Sequence, residues 1–323
     1  MSTNQKNIMK KKVIIDTDPG VDDAMAIALA WLSPDIELVA LTTVFGNVSV
    51  DQAASNACVL LDQLGADIPV ARGAKKPLKN KLRGFPDYVH GKNGFGDIDL
   101  PESSKQIEPQ SAADYLIERI LADPYDITIV TIGPLTNLAI AIEKQPEIMN
   151  KVKEIVVLGG AFITNGNVNP AAEANMISDP HAADFVFSKK GPITVLGLDV
   201  TQQVIMNEQY LNEVHNRSTP CGEFLRDMTR FYLDFHRSGG VDGLYTHDPS
   251  AIAYLIEPDL FSRKKGEIRV ATEGIGMGQT IMNRNGDVYG ITPWSDLPKH
   301  NVCLEVNSKD LLSLYKRVFT EAY

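Results

Sequence analysis

Short, largely apolar runs recur along the chain, each followed by a stretch of helical spacing, and this alternation limits the possible folds more than any other feature. The runs lie at 13–15, 38–44, 127–132, 155–158 and 193–198, and helical spacing occupies 22–32, 52–64, 112–121 and 135–143 among them. Strand, helix, strand in succession predicts a parallel sheet. The segments VIIDTD, ITIVTIG, EIVVLGG and ITVLGLD lack the strict polar alternation of a half-exposed strand. Both faces of the sheet must therefore be covered by helices, as in a doubly wound α/β fold.

The 323 residues contain no Gly/Ser- or Pro-rich linker, no repeat of fixed period and no low-complexity tract. A single domain over 1–323 is expected, with residues 1–11 as a flexible start. Thirty-one Lys and Arg against 41 Asp and Glu leave a net charge of −10, the wrong sign for neutralising the phosphates of a nucleic acid. Cys58, Cys221 and Cys303 form no CxxC pair, which argues against a disulfide framework or a zinc cluster and for a reducing cytoplasm. The longest apolar run, 24–32, is shorter than the roughly 18 residues of a membrane span, and charges follow the basic start too soon for a signal peptide. Neither export nor membrane insertion is expected.

In doubly wound sheets ligands bind beyond the carboxyl ends of the strands. The segments there read DTDPGVDD, TTVFGN, TIGPLTN and LGGAFITNGNVNPAAEAN. Asp16 and Asp18 stand two apart at a strand end and point to one side; Pro19 and Gly20 then turn the chain into a helix with Asp22 and Asp23 in its first turn. Four carboxylates this close repel one another unless some protonate or a cation holds them. A helix cap uses one carboxylate, whereas general acid–base chemistry uses two. Oxygen donors without nearby Cys or His select a hard ion, Ca²⁺ or Mg²⁺. An EF-hand is excluded, because the twelfth position counted from Asp16 is Ile27 rather than Glu.

Further along, THDPSAIAYLI places Asp248 at an N-cap and Pro249 at the first helical position, with His247 beside them as a possible acid. The loop after Gly160 holds Asn165, Asn167, Asn169, Glu173 and Asn175. Amides both donate and accept, and a carboxylate accepts from hydroxyls, so a ribose-like ligand suits this loop. Asn47 ends a strand and is read as a turn residue, and His90 lies in a Gly-rich segment that is either a surface loop or a lid. Phe231, Tyr232 and Phe235 share a helix face, where core packing is the default and base stacking the alternative.

The segment VIIDTDPGVDDAMAIALA closely resembles the amino-terminal signature of the inosine-uridine-preferring nucleoside hydrolases. TTVFGN, TIGPLTN, VVLGGAF, the NxN…EAN loop, SDPHAADFVF and THDP are similar to that family in order and spacing, so the resemblance covers most of the chain. It implies a Rossmann-like α/β fold and a homodimer or homotetramer. It also implies Ca²⁺-dependent hydrolysis of the N-glycosidic bond of purine or pyrimidine ribonucleosides, in nucleoside salvage or catabolism. By position, Asp18, Asp23 and Asp248 are implied as Ca²⁺ ligands together with the backbone carbonyl of Ile132. Asp22 is implied as a contact to the ribose hydroxyls, Asp16 as a carboxylate supporting the cluster, and Asn47 as a neighbour of the attacking water. Asn167, Glu173 and Asn175 match the residues that hold the ribose, His247 the leaving-group acid and His90 a second pocket histidine. Phe231 and Phe235 fall near positions where some members have tyrosines, and Ala174 departs from the more usual EFN.

The implied mechanism has Asp18 as general base and His247 delivering, at neutral pH, a proton to the departing base. Two other readings compete. The DTD motif resembles the nucleophile and acid pair of Mg²⁺-dependent haloacid-dehalogenase-like phosphatases, which have Thr or Val where this chain has Gly20. A nonenzymatic nucleoside-binding protein would keep the pocket without turnover.

Overall fold

A computed structural model describes residues 9–215, 221–290 and 292–321. Eleven strands are formed among these residues: β1 (Lys11–Thr17), β2 (Ile36–Thr43), β3 (Val70–Arg72), β4 (Ile127–Thr131), β5 (Glu154–Leu158), β6 (Ile193–Leu196), β7 (Ile205–Met206), β8 (Leu244–Tyr245), β9 (Phe261–Val270), β10 (Thr280–Met282) and β11 (Lys299–Val306). Residues 1–8 of the expected loose start lie outside the described residues, and Lys11 already belongs to β1.

Nine strands make one sheet in the order β10-β9-β11-β6-β5-β4-β1-β2-β3, and β7 and β8 form a separate pair. The block from β3 to β6 is parallel throughout, β11 joins β6 in parallel, and β9 runs against both β11 and β10. The mostly parallel, doubly wound sheet expected from the sequence is thus the observed fold. Its order 3-2-1-4-5-6 reverses direction between β1 and β4, and that reversal opens a crevice at their carboxyl ends.

Successive residues of a strand face opposite sides. Val13 and Ile15 accordingly enter a core shared with helices Val21–Leu32, Gly222–Ser238, Asp248–Ile256 and Ser308–Glu321. Ile14 enters the other core, with helices Ala112–Ala122, Thr136–Lys144 and Pro180–Phe187. Each large apolar side chain so buried contributes about 2 kcal/mol. Helix Val21–Leu32 is buried at every position from Val21 to Ala30. The only charged groups on that buried stretch are Asp22 and Asp23, held where the helix meets the crevice.

Two local expectations change. The strand expected to reach residue 198 ends at Leu196, and Leu198–Thr201 is a short helix. Asp248 is not the N-cap of its helix: His247 occupies that position, without a side-chain cap bond, and Asp248 is the first helical residue. Capping therefore does not account for Asp248.

Candidate active site

The carboxyl ends of β1 and β4 open into a cavity of about 560 Å³, lined by Asp18, Asp22, Asn47, His90, Ile132, Asn167, Glu173, Asn175, His247 and Asp248. Such a volume accommodates a small molecule of nucleoside size. The structure thus brings together residues more than 200 positions apart in sequence.

Asp16 does not line this cavity. It sits behind it, accepting the Thr42 hydroxyl at 2.6 Å and the Asn137 amide at 2.7 Å, with burial raising its carboxyl to about 7. Asp18 projects into the cavity: one oxygen takes the Asn47 backbone N–H at 2.6 Å, and the other is buried with no hydrogen-bond partner. Gly46 and Gly133 make room for that carboxylate, because a Cβ at either would collide with it. Asp23 is the most heavily bonded of the four, receiving Thr17, the backbone N–H groups of Asp18 and Gly20, and the Asn47 amide. Its bond to Gly20 closes the first turn of helix Val21–Leu32, so the capping explanation holds for Asp23 and for none of the others. Asn47, read from sequence as a turn residue, braces two carboxylates at once.

Carboxylate oxygens of Asp22, Asp23 and Asp248 lie within 4.8 Å of one another, the one grouping of that kind among the described residues. Asp18 is outside that trio but adjoins it, and Asp23 and Asp22 oppose its charge. Burial, reinforced by mutual repulsion, pushes Asp18 and Asp248 well above the usual carboxylate range. Burial raises Asp22 to about 6. Buried oxygens of Asp16, Asp18 and Asp22 lack partners, and orphaned carboxylate oxygens in an all-oxygen cluster fit a hard divalent cation. The Ile132 carbonyl is at hand, although it already accepts the Asn175 amide at 2.8 Å.

The sugar-suited loop has two duties. Glu173 caps helix Ala174–Ser178 through the N–H groups of Asn175 and Met176, and accepts a third bond from Gly160. Asn175 gives its amide hydrogens to the carbonyls of Ile132 and Leu158; carbonyls only accept, so the side-chain oxygen of Asn175 is left as an acceptor. Asn167 is more exposed and accepts the Ala174 N–H at 3.0 Å.

His90, expected in either a surface loop or a lid, ends the short helix Asp87–His90 and is buried at the cavity wall. Its Nδ1 accepts the Val21 N–H at 3.2 Å, and burial lowers it to about 4. The 3.8 Å approach to Asp22 is therefore a neutral contact, not an ion pair. His247 departs from expectation: burial, with His236 and His90 nearby, lowers it to about 3. The resting ring is neutral at pH 7, and what it can offer a leaving group is the single N–H of a neutral imidazole.

Of three further aromatic neighbours, Tyr232 is weighed from sequence between core packing and base stacking, whereas His236 and Tyr245 are not singled out. Tyr232 donates to Asp22 at 3.3 Å and stacks on His90, while His236 and Tyr245 also line the cavity. Phe235 lines it as well, whereas Phe231 packs beside Gly96. The signal was the spacing of Tyr232 and His236, four apart on one helix face, which resembles ordinary core patterning.

A doubly wound α/β sheet with a carboxylate cluster and sugar-suited amides at its switch point defines a protein built to act on a small hydroxylated ligand. Residues 13–313 match the family model described as inosine-uridine preferring nucleoside hydrolase; the chain belongs to that family and is a nucleoside hydrolase. It is 45% identical over 309 residues to uridine nucleosidase 1 of Arabidopsis thaliana, covering 95% of this chain and 92% of that protein. Among solved structures it is similar to a plant nucleoside hydrolase, with 41% identity, a TM-score of 0.94, and coverage of 97% and 99% of the two chains. It is also similar to a purine-preferring ribonucleoside hydrolase from Gardnerella vaginalis, with 34% identity, a TM-score of 0.89 and the same coverage. The phosphatase reading loses its support, and Asp16, its required nucleophile, is turned away from the cavity.

Proposed function

We propose that the protein is a Ca²⁺-dependent ribonucleoside hydrolase with uridine as a principal substrate. The observation that carries this is the meeting of partnerless buried carboxylate oxygens with sugar-suited acceptors in one cavity; the uridine assignment is supported by the likeness to the Arabidopsis enzyme. A hard cation held by Asp18, Asp23, Asp248 and the Ile132 carbonyl would keep these carboxylates ionised and acidify a neighbouring water.

The unbonded oxygen of Asp18 takes the proton of the water that attacks the anomeric carbon. Asp22, Asn167, Glu173 and Asn175 hold the ribose hydroxyls, and they raise the rate insofar as their contacts strengthen when the sugar becomes oxocarbenium-like. Asn47 keeps Asp18 aimed. As the C–N bond breaks, its electron pair goes to the base, and the N–H of neutral His247 stabilises that departure, with His90 and Tyr232 walling the other side.

Cys58, Cys221 and Cys303 are buried and form no disulfide among the described residues, which suits the reducing cytoplasm proposed for the protein. For the homodimer or homotetramer, support comes from the resemblance and from two exposed apolar side chains, Ile281 of strand β10 and Tyr289.

The test is a panel of ribo- and 2′-deoxyribonucleosides with chromatography of the released base. Uridine should yield uracil, and deoxyuridine should be slower by up to about 10⁴-fold, because a missing hydroxyl leaves polar groups unpaired. Equal rates, or tight uridine binding with no release, would overturn the proposal.

A further inference from the structure

We propose that the short helix Leu198–Thr201 is a positioning element that sets both ends of the bound nucleoside. Asp199 holds the loop that carries the sugar contacts, and Thr201 fixes which ring nitrogen of His247 bears the proton. The inference rests on the ribonucleoside reading above.

At the sugar end, one carboxylate gathers three consecutive backbone N–H groups. Asp199 accepts from Phe162 at 2.8 Å, Ile163 at 2.7 Å and Thr164 at 3.2 Å, and the Leu198 N–H reaches the Gly160 carbonyl at 2.8 Å. These bonds set the course of the chain as it leaves β5 and enters the loop bearing Asn167, Glu173 and Asn175. The loop has no strand or helix between Leu158 and Ala174; backbone bonds tie its far half, from Gly166 to Ala172, and Asp199 anchors its beginning.

At the base end, the buried Thr201 hydroxyl lies 2.8 Å from Nδ1 of His247. A neutral imidazole has one donor and one acceptor nitrogen. Were Nδ1 the donor, the hydroxyl proton would have no protein acceptor among the described residues and only the cavity to turn to, whereas Nδ1 as acceptor pairs both groups within the protein. The hydroxyl is therefore the donor, Nδ1 accepts, and the ring proton resides on Nε2, the atom left for the departing base. Asp199 and Thr201 are two residues apart, so one turn of backbone registers the sugar loop against the leaving-group histidine.

The test compares uridine with 4-nitrophenyl riboside, whose phenolate leaves without a proton. Asp199→Asn should raise KM by about 10-fold on both substrates alike, since both carry the ribose. Thr201→Val should lower kcat on uridine by about 10-fold, a fraction of a general-acid contribution, with at least a fivefold smaller loss on the nitrophenyl riboside. Thr201→Ser should restore uridine turnover. A merely structural role would lower the melting temperature of each variant without this split between substrates. KM unchanged in Asp199→Asn, or equal losses on both substrates in Thr201→Val, would overturn the inference while wild-type activity left the parent reading standing. A wild type that cleaves neither substrate would overturn both. Should Asp199→Asn fail to fold, wild-type amide exchange decides the sugar end. Phe162, Ile163 and Thr164 should exchange at least about 10-fold more slowly than Asn165, and equal rates would refute the anchor.

Discussion

Asp18 and Asp23 are chemically identical side chains five residues apart, and their surroundings separate their uses. Asp23 is saturated by four donors, whereas Asp18 keeps one buried oxygen free. A free, desolvated oxygen can take a proton from water; a carboxylate already accepting four hydrogen bonds is the poorer base, whatever it contributes to holding a cation. Asp18→Ala should therefore reduce kcat on uridine below about a tenth of wild type, more than about 1.4 kcal/mol of barrier. Removing one of several repelling carboxylates should leave the cation-free melting temperature unchanged or raised. Steady-state kinetics and a thermal melt check the two halves, and retention of more than a tenth of the rate would remove Asp18 from the base role.

Helix Thr136–Lys144 illustrates what the sequence made legible and what it did not. GPLTN signals a turn into a helix after β4, and the helix begins where that signal puts it. Nothing local reveals that Asn137 bonds Asp16 across 121 residues, accepts the Ala74 N–H and donates to the Thr43 carbonyl. Such partners depend on which strands become neighbours, and neighbours are set by topology rather than by sequence distance. The same reason hid the bond from Tyr232 to Asp22, 210 residues away. The carboxylate cluster was legible because four aspartates crowd eight residues, a local pattern with a local explanation. Gly73 leaves space for Asn137, since a Cβ there would collide with its side-chain oxygen and with the Thr43 carbonyl. Asn137→Ala should cost about 3 kcal/mol in urea unfolding, because it strands buried partners on three segments. A loss below about 0.5 kcal/mol would mean that the three bonds are replaced by water.

Across the whole molecule, the parallel block was readable because its strands are apolar on both faces, whereas the far side of the sheet was not. Strand β9 carries Arg263, Lys264 and Lys265 on exposed positions; β10 covers only its last three residues, so these charges guard an open edge while erasing the apolar pattern. The fold that results buries an acidic cluster at its centre, and this gives stability a pH dependence with a definite sign. In the cation-free protein Asp22 is raised from 3.8 to about 6 and Asp16 from 3.8 to about 7. A raised carboxyl favours the protonated fold, so its contribution is present below the unfolded value and is lost as pH rises through the folded one. His90 and His247, lowered from 6.5 to about 4 and about 3, act with the opposite sign, their contribution being lost as pH falls below the unfolded value. The two histidines are present with or without the ion, so their effect largely cancels between Ca²⁺-saturated and chelator-treated protein. The proposed Ca²⁺ would hold the carboxylates ionised and remove the loss at higher pH, while at low pH protons would compete with it. The gap in melting temperature between the two preparations should therefore widen from pH 5 to pH 8, by about 2 °C if the net change is one to two kcal/mol. Differential scanning calorimetry at constant ionic strength measures it directly. A gap that stayed flat or narrowed as pH rose would show that the cluster is already ionised without the ion, and that the cation is held elsewhere.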